Sequence, residues 1–144
     1  MEFDIANHTA TIWDDGNQGF TLTNEKELGN AVVSVLQNPQ GTMNQYLYIA
    51  SVETTQKDIL AALEEQSGTK WTVNKTSTDA QVAEAVNKLT AGDFTGAFAL
   101  VRATVFGNTA GIHANYAKEE KLANDLLGLQ FENVKDTIQR VLNK

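Results

Sequence analysis

No cysteine occurs among the 144 residues, which excludes a disulfide framework and a thiolate metal site alike. Histidine occurs only as His8 and His113, far apart and in neither an H-x-x-x-H nor an H-E-x-x-H spacing, so no metal centre is expected. Cations are scarce and scattered: eleven Lys and Arg against eighteen Asp and Glu leave a formal charge of −7. Nucleic-acid binding draws its affinity from clustered cations that release counterions, so that partner class is excluded, and an acidic surface is repelled by anionic membranes. No apolar run approaches the roughly 20 residues that cross a bilayer. The N-terminal "MEFDIANHTATIW" has no basic stretch leading into an apolar one, so a cytoplasmic address is the expectation. Proline is used once, and 42% of residues are hydrophobic, which is the composition of a folded domain rather than a disordered tail.

What is present is alternation. "TATIWD" at 9–14 reads as a strand ended by the turn "DDGN", with a second short strand, "FTLT", at hairpin distance over 20–23. Asn24 with Glu27 forms a capping box for a helix whose stripe is Leu28, Val32, Val35 and Leu36 and which stops at Asn38-Pro39. "NQYLYIAS" at 44–51 reads as a buried, parallel strand, since apolar and aromatic residues occupy both faces. Thr55 with Asp58 caps a helix carrying Ile59, Leu60 and Leu63 to a Ser67-Gly68 stop, and 70–76 returns as a strand. Thr78 with Gln81 caps the next helix, with Val82, Val86 and Leu89 inward. Helices are expected over about 94–106, 117–127 and 131–143, the last with Val134, Ile138, Val141 and Leu142 inward, and a loop over 107–116. The expected fold is a small α/β domain over 1–144: a short sheet of about four strands with helices packed on it, and a C-terminal half that is helical.

Chemistry is sparse. There is no G-x-S-x-G, and neither G-x-G-x-x-G nor G-x-x-G-x-x-G follows a strand, so neither a nucleophilic hydrolase nor a dinucleotide turn is written here. Asp14 and Asp15 are adjacent carboxylates in a turn, where such residues ordinarily bond the turn backbone. Segment 94–106 is apolar on every side of a helix except for Arg102, an expensive charge to bury without a partner.

The stretches "TATIWDDGNQGFTLTNEKELGNAVVSVLQNP", "MNQYLYIAS", "ILAALEEQSGTKW", "GAFALVRATVFGN" and "NYAKEEKLANDLLGL" follow one another in an order that resembles the C-terminal half of NmrA-like, isoflavone-reductase-like proteins. Within these atypical short-chain reductases the wording is most similar to the fungal aromatic-alcohol-reductase-like branch. The family's Rossmann half, with its Gly-rich turn and the segment bearing its catalytic lysine, has no counterpart in the matched residues. The resemblance implies a substrate-side domain whose 94–106 helix looks onto the substrate cleft. It makes Phe98, Val101, Arg102, Val105 and Phe106 expected ligand-lining residues and gives no cofactor site; the aromatic Phe94 and Tyr116 join them because small-molecule sites are concave and largely apolar.

Three readings follow. The first is a small-molecule binding half, holding an aromatic or other apolar ligand and not a reductase alone. The second is a cofactor-free isomerase, cyclase or lyase using His113 and Arg102 as its catalytic pair. The third is an interaction module whose uncovered sheet edge and apolar face make it a homodimer or join it to a cofactor-bearing partner.

Overall fold

Five strands and eight helices make two pieces of sheet with helices against them, in a computed structural model that describes residues 2–143. Strand β1 (Phe3–Asp4) runs antiparallel to β2 (Thr9–Trp13), and β2 runs parallel to β5 (Thr72–Thr76), in the order β1-β2-β5. Strand β3 (Gly19–Leu22) pairs antiparallel with β4 (Val52–Thr55) as a separate ribbon. The expected mixed α/β character holds, but β2 and β3 are not a hairpin. The turn between them carries the chain from one piece of sheet to the other. Asp14 (φ 52°) and Gly16 (φ 69°) both take the left-handed conformation there, and a Cβ on Gly16 would come within 2.7 Å of the Ile12 side chain.

Helix α3 (Gln56–Ser67) begins as its sequence predicts, with the Thr55 hydroxyl accepting from Asp58 N–H and the Asp58 carboxylate accepting from Thr55 N–H, and ends at left-handed Gly68. Its first residue does something no local signal announces. The buried Gln56 amide accepts from Trp13 N–H at 2.9 Å and donates to the Thr11 carbonyl at 3.1 Å, serving β2 as a strand would where β1 has run out. Helix α8 (Val134–Leu142) lies on α3, and Ile59, Ala62, Leu63 and Ile138 join Ala10, Ile12, Phe20 and Trp71 in the main core.

Helix α1 (Glu25–Gln37) is followed by the short α2 (Pro39–Thr42). The Asn24/Glu27 box is absent: the Asn24 side chain makes no cap bond and instead donates to Glu132 and Thr137. The expected stripe is also largely uncovered, for Leu28, Val32 and Leu36 are exposed, and only Ala31 and Val35 pack on Ile49 and Leu127. The stripe is wider than the short helix α7 (Asn124–Leu127) that packs beside it.

Residues 44–51 form no strand, and Tyr46 is 96% exposed. One parallel bridge joins Tyr48 to Leu122, and beyond it the Asn124 amide takes both backbone groups of Ala50, accepting from its N–H and donating to its carbonyl. A side chain thus replaces the ladder. The same bridge interrupts the helix expected over 117–127, which is reduced to α6 (Tyr116–Glu119) and α7.

Helix α4 (Thr78–Thr90) is capped by Ser77, one residue before the expected Thr78, and buries Ala85 while Val86 is exposed. Helix α5 (Gly96–Phe106) packs on α4 through Gly96, where any Cβ would strike the Ala85 carbonyl oxygen. In α8 Val141 is exposed while Ile138 faces the core.

Candidate functional site

Helix α5 is not enclosed on every side. Gly96 and Ala103 face inward, while Phe94, just before the helix, Phe98 and Val101 are 79%, 69% and 63% exposed. Phe98 and Val101 are one turn apart and so share a face, which makes with Phe94 an apolar ridge on the surface. The other aromatic of the segment does the opposite. Phe106 sits edge-on to Phe20 at 5.3 Å between ring centres and tilted against Trp13 at 6.4 Å, with Val105 on the same core. The expected ligand-lining set is therefore split between an outward ridge and the interior.

Arg102 has its answer at the other end of the chain. Its Nε lies 3.1 Å from Glu2 Oε1, too poorly aligned for a hydrogen bond, and Glu2 Oε2 accepts from the Trp13 indole N–H at 2.9 Å. The Glu2 side chain is only 8% exposed, so a buried carboxylate rather than a ligand anion meets the cation. Sequence reasoning missed Glu2, which lies a hundred residues away with no pattern to tie the two. His113 is exposed, with Nδ1 3.4 Å from Glu119 Oε2. Nothing places it beside Arg102. Tyr116 stacks on Tyr48 with ring centres 5.4 Å apart.

The two turn carboxylates are structural. Asp14 accepts from the Thr78 N–H at 3.0 Å and from the Thr78 hydroxyl, and that hydroxyl oxygen accepts from Asn108 N–H, so one side chain ties β2 to the start of α4 and the end of α5. Asp15 accepts from the Asn17 backbone and side-chain N–H groups, which hold its carboxyl below the usual aspartate range.

A cleft of about 470 Å³ opens where β3, β4 and α6 meet, a size common for small-molecule sites. Its walls are polar and include Glu53, Asp58, Asn115, Lys118 and Glu119. Asn115 Nδ2 donates to Glu53 Oε1 at 2.8 Å and Lys118 Nζ lies 2.9 Å from the same oxygen. Both interactions, the Asn115 bond first, hold the Glu53 carboxyl below the usual range. Asn115 is only 5% exposed, and among the described residues none donates to its Oδ1. None of the expected ligand-lining residues lines this cleft, and His113 touches it only through Glu119. Among the described residues no three His, Asp or Glu side chains converge as a metal site would require, and no helix is long and apolar enough to cross a membrane.

No protein-family model matches the chain. It is similar over 142 residues to a protein named oxidoreductase aprR from Aspergillus flavus, at 31% identity, covering 99% of this chain and 47% of that protein. It is similar over the same length to oxidoreductase poxI from Penicillium oxalicum, at 30% identity, covering 99% of this chain and 45% of the relative. The chain therefore spans about half the length of the curated relatives it matches. In three dimensions it superposes on a nucleoside-diphosphate-sugar epimerase from Staphylococcus aureus with a TM-score of 0.58 and 14% identity, over 94% of this chain and 44% of that one. That likeness establishes a shared fold.

Proposed function

We propose that this chain is the substrate-side half of an oxidoreductase-like protein of the NmrA-like kind, acting in the cytoplasm. It offers an apolar wall to an aromatic or other apolar organic molecule and is not a reductase by itself. The observation that carries this is the ridge of Phe94, Phe98 and Val101, exposed on a chain whose similarity to named oxidoreductases spans less than half of each. Large apolar side chains grouped on a surface mark a place where something else packs. On this reading the opposite wall and the nicotinamide cofactor come from a second body bearing the Gly-rich turn that these residues lack.

Arg102 and His113 support a cofactor-free isomerase or lyase poorly: one is held by Glu2, the other by Glu119 at the edge of a different cleft. Calorimetry separates the readings. The chain alone, titrated with NADPH, should give no saturable heat. Titrated with 2-phenylethanol, it should bind with a Kd of about 1 mM or weaker, lost in Phe98→Ser. Tight NADPH binding would overturn the proposal, and so would 2-phenylethanol binding that ignores Phe98→Ser.

A further inference from the structure

Charge is unevenly spread along the chain: 20% of residues are charged, yet none of residues 28–52 is Asp, Glu, Lys, Arg or His, and no other uncharged run is half as long. That stretch holds most of α1, all of α2 and the irregular segment before β4. Its large side chains are open to water, for Leu28, Val32, Val33, Leu36, Met43 and Tyr46 are all exposed. Depletion of charge together with exposed aliphatic, Met and Tyr side chains is the composition of the core of a protein–protein interface. In a chain of net charge −7 this is also the face at which a second copy is repelled least.

Gly29 is left unexplained by the single chain. It lies in the interior of α1 with an ordinary helical backbone, and no atom stands within 4 Å of the place a Cβ would take. Alanine would fit there and favour the helix, so within one chain the glycine only weakens α1. By helical periodicity Gly29 shares a face with Leu28, Val32 and Leu36, in the middle of the exposed stripe. The molecule uses the same device internally, where Gly96 lets α5 lie against the Ala85 carbonyl of α4. Beside the stripe, a groove of about 190 Å³ runs between α1 and Leu47, Ile49 and Leu127, and no charged residue lines it.

We propose that two copies of this chain pair about a two-fold axis, α1 crossing its counterpart over Gly29 and Val32 so that the ridge of Leu28, Val32 and Leu36 on each copy enters the groove of the other. Side chains four residues apart form such a ridge, and two of them interdigitate at about −50° with helix axes about 8–10 Å apart, nearest where a glycine removes the side chain. A patch that carries both ridge and groove suits an isologous interface, in which every contact is made twice. At that angle the helix ends diverge, so Glu25, the charged residue on the same face of α1, stays in water. The area agrees. At roughly 60–120 Å² for a buried aliphatic or Met side chain and roughly 150–250 Å² for an aromatic one, the exposed fractions of the six side chains supply roughly 300–600 Å² of apolar surface per copy. Apolar atoms make up a little over half of an interface, so the patch matches the roughly 800 Å² per partner that a specific dimer buries. The inference does not rest on the reductase-like reading, and the α5 ridge takes no part in it.

The test is sedimentation velocity of the full chain over a concentration series at about 0.15 M salt, beside three variants. The wild type should pass from monomer to dimer with a Kd of about 100 μM or tighter. Leu36→Glu alters a side chain that is 75% exposed and so leaves the monomer folded; it should weaken pairing about a hundredfold or more. Val86→Glu, which puts the same charge at an exposed valine on α4, should leave the Kd within about twofold. Gly29→Ala should move two measurements in opposite directions: the urea midpoint of the dilute monomer rises, and the dimer weakens about tenfold. The proposal is overturned by a wild type that stays monomeric, by a Leu36→Glu chain that pairs as tightly as wild type, by equal losses in Val86→Glu and Leu36→Glu, or by a Gly29→Ala chain that pairs at full affinity.

Discussion

Truncating Arg102 to alanine leaves the buried Glu2 carboxylate with the Trp13 indole N–H as its side-chain donor and no cation. Breaking a fully buried pair costs about 3–5 kcal/mol, but the Arg102 side chain is 38% exposed, so a loss of about 1–3 kcal/mol in urea denaturation is expected. Glu2→Gln in the same background should recover part of it by removing the orphaned charge, whereas a ligand-binding role for Arg102 predicts no such coupling. Acid sensitivity is set at the same scale. Glu132 is held below the ordinary glutamate value of 4.5, first by its hydrogen bond from Arg140, and Glu53 is held below it first by Asn115. In both the folded state favours the ionised form, so the stabilisation is fully present above 4.5 and is lost as pH falls below it through the folded values. The thermal midpoint should thus be flat near neutrality and fall below about pH 4.5, and Glu53→Gln with Glu132→Gln should make that acid limb shallower.

Helices α4 and α5 meet through Gly96, so Gly96→Ala tests whether their close approach is needed. The added methyl collides with the Ala85 carbonyl and the Lys88 side chain, and separating the helices should cost about 1–3 kcal/mol, or a fall of several degrees in Tm by scanning calorimetry. No loss would show that α5 rests on the core through Phe106 alone. Elements whose signals are local were legible in the sequence: the β2 strand, the Thr55–Asp58 box and the Gly68 stop depend on neighbours in the chain. Those that failed depend on distant partners. The 44–51 strand and the 117–127 helix were displaced by one bridge and by the Asn124 amide, and the box at Asn24 gave way to bonds with Glu132 and Thr137. The polar cleft was illegible for the same reason, since Gly19, Glu53 and Asn115 come from three separate segments and Asn115 sits in what reads as a plain loop. Of the residues expected to line a ligand site, Phe94, Phe98 and Val101 lie exposed on and just before α5, whereas Val105 and Phe106 pack on the core.

At the scale of the molecule, several surfaces lack a covering layer. Leu28, Val32 and Leu36 stand out on α1, Phe94, Phe98 and Val101 on and before α5, and β5 is an edge strand exposed over most of its length. Named relatives about twice as long have further residues available to cover such faces. For the lone chain the expected outcome is self-association, seen as a concentration-dependent sedimentation coefficient. The charge of −7 repels a second copy, while apolar contact attracts it, and the two respond oppositely to salt. If apolar faces drive pairing, raising salt to about 1 M shrinks the screening length to roughly 3 Å and should tighten the dimer, whereas pairing by ion contacts should loosen. Leu36→Glu with Phe98→Glu should give a monomer whose Tm is nearly unchanged, because both side chains already meet water; Ile59→Glu, in the main core, should unfold the chain instead. A wild-type chain that stays monomeric at high concentration and high salt would mean that these faces are too dispersed to bind a copy of themselves. The ridge on α5 would then need a partner of different shape.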